Sequence, residues 1–317
     1  MPHESSPEFT GVSVIVAAYQ AASTIKRTLA SIAAQTLKPR EVVVVDDGST
    51  DRTFEEAKAL GHDMNGIRLQ VIRSEENQGA GAARNRAIME STESFLAFLD
   101  SDDEWLPEKL KGTMPHLESG DYSFVAHDYL TGDGVNTIYH DCAKRFREDG
   151  DAFVNLYRKG YIASSSVVAH RDVVFSAGGY DPSLPNAQDF DLWLAMTRSS
   201  DTRYLIFGEA LLHYHPSPGG IMSHTERRLQ CCLIIARRYI PDIKQRPGGG
   251  LSDLWFRVAA LHLEAIRAYG KRRKIPRLLL TVVKLPLSLL TMTIFYFAGN
   301  PQPRGHFLAT DKASQNG

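Results

Sequence analysis

The sequence predicts an α/β fold with a mostly parallel central sheet, followed by a helical C-terminal extension. Three observations carry this. Short apolar, β-branched runs alternate with helix-period segments over the first hundred residues. Two acidic clusters stand directly behind two of those runs. The charge then changes sign near residue 225: residues 1–225 hold 20 Lys and Arg against 32 Asp and Glu, whereas 226–284 hold 14 against 4.

Taken in order, "VSVIVAA" (12–18) suits a strand buried on both faces. Ser23 can cap a helix in which Ile25, Leu29 and Ile32 share a face. "EVVVV" (41–45) is a second buried strand and ends in Asp46-Asp47-Gly48-Ser49. A polar helix over 51–60, a strand over 68–73 and, past a Gly-rich segment, a strand over 95–100 complete a β-α-β-α-β-α-β order. That order builds a parallel sheet with helices on both faces, and ligands then bind beyond the carboxyl ends of the strands. The stretch 121–210 is less regular, with strands expected near 122–127, 164–169 and 203–207 and a helix from about Asp189 that turns Phe190, Trp193 and Leu194 inward. Long basic helices follow from 226, the first broken by "RPGGG" (246–250).

A chain of 317 residues with 43% hydrophobic content accommodates one such domain plus the extension. The basic rear segment points to an anionic partner. Cys142, Cys231 and Cys232 lack metal or disulfide spacing, which favours a reducing compartment, and the opening "MPHESSPEFTG" does not read as a signal peptide. The run 278–298 has 21 residues with one charge, Lys284, and one proline, Pro286. It is open to three readings: a buried helix or hairpin, an interfacial anchor, or a membrane span. The preceding "KRRK" (271–274) would favour anionic lipid and hold the preceding domain on the cytoplasmic side.

Five groups of residues could carry chemistry. Asp100, Asp102 and Asp103 in "FLDSDDEW" repel one another unless a cation or a solvated turn compensates, so a hard divalent ion and a polar helix start are both open. Asp46-Asp47 could accept from a base or ribose, or simply close a turn. "NQGAGAARN" (77–85) joins two glycines to a helix N-terminus and to Arg84, a setting for an anion, although it fails as a dinucleotide fingerprint. Asp189 and Asp191 would point about 200° apart on a helix, so one of them could serve as a general base. His213 and His215 at i, i+2 share a side in extended chain and could ligate a metal or meet a diphosphate.

Together these segments resemble the inverting family 2 glycosyltransferases, which have a GT-A fold. The resemblance runs through "VSVIVAAYQAASTIKRTLASIAAQT", "VVVVDDGSTDRT", "ENQGAGAARNRAI", "FLAFLDSDDEWLPEKL", "GGYDPSLPNAQDFDLWLAM" and "YHPSPGGIMS", over about residues 10–225. It implies a catalytic domain over 1–225, which leaves 226–317 as the basic helical region that contains the apolar segment 278–298. It implies that Ala17, Tyr19, Asp47, Arg84 and Asp100 contact the nucleotide and that Asp100, Asp102 and His215 hold Mn²⁺ or Mg²⁺. Asp189 takes the catalytic-base position, with Trp193 and Asp191 on the acceptor side. Gln188 departs from the family's usual Glu before the base.

The expected function is inverting transfer from a nucleotide-diphosphate sugar, UDP-linked, to a lipid-linked or cell-envelope glycan at the cytoplasmic face of a membrane, with no nucleic-acid partner. The alternative is a non-catalytic nucleotide-sugar or glycan-binding module of the same fold. A phosphotransferase with a DxD nucleophile fits poorly, because that type places its DxD after the first strand.

Overall fold

The computed structural model describes residues 9–62, 64–132, 136–146, 150–216, 224–299 and 303–308. The first half is β1 (Phe9–Ala18), α1 (Ile25–Ala33), β2 (Lys38–Asp46), α2 (Thr53–Ala59), β3 (Arg68–Arg73), α3 (Ala80–Glu90) and β4 (Phe95–Phe98). These four strands lie in the order β3-β2-β1-β4 and are all parallel. Burial on both faces explains their unbroken apolar runs. Along β2, Val42 and Val44 enter one core cluster while Val43 and Val45 enter the other, all four fully buried.

Next come β5 (Glu104–Trp105), α4 (Lys109–Glu118), β6 (Phe124–Thr131), β7 (Ile138–His140), α5 (Cys142–Arg145), α6 (Ala152–Lys159), β8 (Val168–His170), α7 (Arg171–Ser176), α8 (Gln188–Met196) and β9 (Tyr204–His213). The sheet continues from β4 as β8-β6-β9-β5, with β7 beside β6. Here it is mixed: β8 runs antiparallel to β4 and β6, and β9 runs parallel to β6. The chain leaves β1 toward β2 on one side and returns to β4 on the other, so a crevice opens where the strand order reverses.

Two local expectations change. The first helix begins at Ile25 rather than after Ser23, because Ala21 O already accepts from Thr24 N and Ile25 N at 3.0 and 2.9 Å. The strand expected over 164–169 starts only at Val168. Ser164–Ser166 form a 3₁₀ turn in which the backbone N–H and hydroxyl of Ser166 both donate to Ala163 O.

The C-terminal region is α9 (Thr225–Arg238), α10 (Ile240–Gln245), α11 (Leu251–Lys271) and α12 (Ile275–Ala298). The break at 246–250 falls between α10 and α11, as the glycines predict. Cys231, Cys232 and Ile235 of α9 and Leu254, Val258 and Leu261 of α11 join the same cluster as Phe98 and Trp193, so these helices complete the core beside the sheet. α12 is not a buried helix. Only Thr281 and Met292 are buried, whereas Leu279, Val283, Leu287, Leu290 and Phe297 are 58, 72, 64, 58 and 72% exposed. It is long and apolar enough to cross a membrane.

Candidate active site

The carboxyl ends of β1, β2 and β4 deliver the predicted residues to one crevice. At β1, Ala17 is half-buried and Tyr19 is 50% exposed. Behind β2 the chain turns tightly. Asp47 N donates to Ala18 O at 2.8 Å, and Gly48 takes φ +69°. A side chain at Gly48 would meet the Glu76 carbonyl carbon at 2.6 Å, so glycine is required there by both conformation and space. Asp47 is buried, and its carboxylate accepts from Gln78 N at 3.0 Å and Gly79 N at 2.7 Å. It therefore ties the aspartate turn to the glycine turn that starts α3.

Arg84 on α3 is buried, lies over the Tyr180 ring and pairs with Asp100 at 2.5 Å. Burial disfavours its charge, but Asp100 more than offsets this, and the guanidinium is held firmly protonated. In the turn after β4, Asp102 is half-buried and its carbonyl accepts from Arg27 at 2.6 Å. Asp103 is fully buried. Its carboxylate accepts from Ser165 Oγ at 2.5 Å and from His215 N at 3.0 Å. Burial, with Asp100 and Asp102 adjacent, pushes its pKa well above the ordinary carboxylate range. Asp103 thus buttresses the turn, and Asp102 is the more accessible of the two carboxylates.

Beside this turn, Glu104, His213 and His215 each bring one potential ligand atom within 4.8 Å of the others. The two imidazoles meet edge to face at 4.2 Å, as their i, i+2 spacing predicts. Burial, then Arg27 and His213, lower the His215 pKa, so its ring is neutral at neutral pH. Its Nε2 is shielded, has no hydrogen-bond partner among the described residues, and lies 3.5 Å from Glu104 Oε2. An orphaned imidazole nitrogen facing a carboxylate fits a divalent ion. Sequence reading did not single out Glu104. Its register opposite His213, set by the β5–β9 pairing, is what brings it in. Residues 217–223, which continue the "YHPSPGGIMS" segment, lie outside the described residues.

Asp189 enters from α8. Its Oδ1 accepts from Phe190 N at 2.8 Å and its Oδ2 from Ser164 Oγ at 3.2 Å. Burial raises its pKa above the ordinary value, although the Phe190 N–H and Arg84 pull the other way. That direction makes it a stronger base than a solvated aspartate. The preceding residue but one, Ala187, is held at φ +57°, a conformation rare outside glycine. Gln188 is buried against Gly81, and its amide donates to Leu184 O. A glutamate there would set a carboxylate against that carbonyl, so the amide is the residue this loop accommodates.

Two expectations fail. Asp191 is fully buried on the far side of α8, where Arg238 and Arg304 bind it at 2.8 and 2.7 Å. Trp193 is fully buried among Phe98, Phe124 and Tyr180. With Asp189 turned toward the crevice, the helical period sends Asp191 about 200° away from it, whereas Trp193, one turn on from Asp189, is taken up by the aromatic core beneath, so neither lies on an acceptor surface. Arg304 also donates to the carbonyls of Ala177 and Gly179, while Asn85 exchanges two 2.7 Å hydrogen bonds with the backbone of Tyr180. The loop leading to α8 is therefore pinned from both sides.

The Glycosyl transferase family 2 profile matches residues 13–174. The chain is 34% identical over 186 residues to the UDP-Glc:alpha-D-GlcNAc-diphosphoundecaprenol beta-1,3-glucosyltransferase WfaP of Escherichia coli, covering 58% of this chain and 68% of WfaP. Among solved structures it is similar to S. aureus TarS 1-349 in complex with UDP-GlcNAc, with TM-score 0.62, 20% identity and coverage of 91% of this chain and 92% of TarS 1-349. It is also similar to the mannosyltransferase PcManGT from Pyrobaculum calidifontis in complex with GDP-Man and Mn²⁺, with TM-score 0.61, 21% identity and coverage of 94% and 89%. These two likenesses establish a GT-A-type fold. On the profile match and the relationship to WfaP, the chain belongs to glycosyl transferase family 2.

Proposed function

We propose that this chain transfers a sugar, with inversion, from a UDP-sugar to a hydroxyl of a lipid-linked cell-envelope glycan at the cytoplasmic face of a membrane. The observation that carries the reading is convergence. Asp47, the Arg84–Asp100 pair, Asp102 and Asp189 come from β2, α3, β4 and α8 to one crevice at the strand-order reversal. The acceptor follows the printed specificity of WfaP and the exposed apolar face of α12.

In this reading Tyr19 and Ala17 border the base, and Asp47 holds the two turns around it. Asp102 and His215, with Glu104 and His213 close by, would hold Mn²⁺ or Mg²⁺. The ion would supply positive charge against the leaving diphosphate. Arg84 would add a fixed cation beside it through its pair with Asp100. Asp189 accepts the proton of the acceptor hydroxyl, the freed oxygen forms its bond to the anomeric carbon, and the bond to the nucleoside diphosphate breaks in the same displacement. A radiolabelled UDP-sugar assay with lipid-linked acceptors tests this. Transfer that is lost in Asp189→Asn supports it; undiminished transfer in that variant removes the assignment of the base.

A further inference from the structure

A second cleft, of about 460 Å³, lies between the loop before α8 and the start of α12. Pro185 borders it on one side, four residues ahead of Asp189. Arg227, Arg272, Lys274 and Arg277 border it on the other, and all four are exposed. The acid in its wall, Glu226, is engaged by Tyr269 at 3.0 Å and Lys284 at 3.3 Å, so the cleft presents net positive charge. Directly beyond the cations, the exposed face of α12 turns apolar: Ile275, Leu279, Leu280 and Val283 are 53, 58, 52 and 72% exposed. α12 has 24 residues, roughly 36 Å at 1.5 Å per residue, about the thickness of a bilayer core.

We propose that this cleft binds the diphosphate of a polyisoprenoid-linked acceptor, with the isoprenoid chain lying along α12. A soluble anion would use the cations and leave the apolar face without purpose. Bulk phospholipid would use both but would not need a cleft opening beside the loop that leads into α8 and Asp189. An amphiphile with two phosphates, an apolar tail and a sugar uses all three. The inference rests on the glycosyl-transfer reading for its sugar end and on charge and apolarity for the rest.

The test is calorimetric titration of the full chain in detergent with farnesyl diphosphate, inorganic pyrophosphate and phosphatidylglycerol vesicles. Farnesyl diphosphate is expected to bind at least tenfold tighter than pyrophosphate. The double variant R272Q/R277Q is expected to lose at least tenfold, while R267Q, an exposed cation outside the cleft, retains native affinity. Equal affinity in the native chain and R272Q/R277Q overturns the proposal. So does equal affinity for pyrophosphate and farnesyl diphosphate, or binding in which R267Q weakens as much as the double variant. Vesicles that bind alike in native and R272Q/R277Q chains, while farnesyl diphosphate does not, support it. UDP with Mn²⁺ is titrated on the same samples. Failure of UDP to bind a native chain that takes farnesyl diphosphate counts against the glycosyl-transfer reading and not against the cleft.

Discussion

Arg304 donates to Asp191 at 2.7 Å across 113 residues of chain, and both side chains are almost completely shielded from water. The same guanidinium binds two carbonyls of the loop that leads to α8. Removing it leaves Asp191 with Arg238 alone. Breaking a buried pair from one side costs about 3 kcal/mol or more, so Arg304→Ala is expected to lower the urea midpoint clearly. Arg304→Lys recovers little, because an ammonium cannot serve a carboxylate and two carbonyls in one plane. Native midpoints in both variants would show that the clamp contributes nothing.

The buried setting of Asp189 predicts a distinctive acid limb. Burial, only partly opposed by the Phe190 N–H and Arg84, raises its pKa above 3.8. A base must be deprotonated, so kcat is expected to fall as pH drops through a value above that of an ordinary aspartate. Asp189→Asn is expected to lower kcat by about 10²–10⁴ and to abolish that limb. A residual rate with the native pH profile would place the base elsewhere.

The response to divalent ions is expected to distinguish Asp102 from His215 and Glu104. Chelation by EDTA and Asp102→Ala are each expected to stop transfer. His215→Ala is expected to raise the Mn²⁺ concentration for half-maximal rate by roughly tenfold or more, with Glu104→Ala moving it the same way. Rates that do not respond to Mn²⁺ in any of these chains would remove the ion from the reaction.

Gly48 and Gly79 both adopt positive φ, at +69° and +93°, but only Gly48 lacks room for a side chain. The conformational cost alone is about 1–3 kcal/mol, Gly79 lying at ψ 155° in a region almost restricted to glycine. Gly79→Ala is expected to cost that, and Gly48→Ala more, since its Cβ would press on backbone atoms of Glu76 and Asn77. Thermal unfolding of the two variants ranks them. Equal losses would mean that the 46–49 turn yields without resistance.

Glu41 gives the fold an acid-sensitive joint under the sheet. Burial works to raise its pKa, but Ser13, the Thr92 N–H and Arg68 outweigh it, and the net shift is downward from 4.5. A depressed carboxylate contributes stability that is fully present above its unfolded pKa and is lost as pH falls through the lower folded value. Glu41→Gln is therefore expected to destabilise the chain at pH 7, by about 1–3 kcal/mol, and to flatten the decline in stability below pH 4.5. Parallel pH–stability curves for the two chains would contradict this.

Much of this site was legible because its parts are local. A buried strand followed at once by Asp46-Asp47 or by Asp100–Asp103 announces its own geometry, and the i, i+2 histidines announce theirs. The helical period also separated Asp189 from Asp191, but it could not say which side faced the crevice. That is decided by Arg238, Arg304 and the aromatic packing around Trp193, all supplied from distant chain. Glu104 was illegible for the same reason: only the pairing of β5 with β9 sets it opposite His213. The exposed face of α12 required knowing how little of it α11 covers.

The Asp191–Arg304 clamp also imposes an order on biosynthesis. A ribosome adds about 5–20 residues per second, so Arg304 follows Asp191 by on the order of ten seconds, and Arg238 arrives well before it. For that interval the nascent helix carries an acid it cannot yet fully seal, together with a loop that Asn85 and Arg238 hold but that Arg304 has still to fasten from its other side. Termination or cleavage ahead of residue 304 would leave a polypeptide with the whole segment that matches its family intact but the support behind Asp189 unfinished, a natural target for chaperones and proteases.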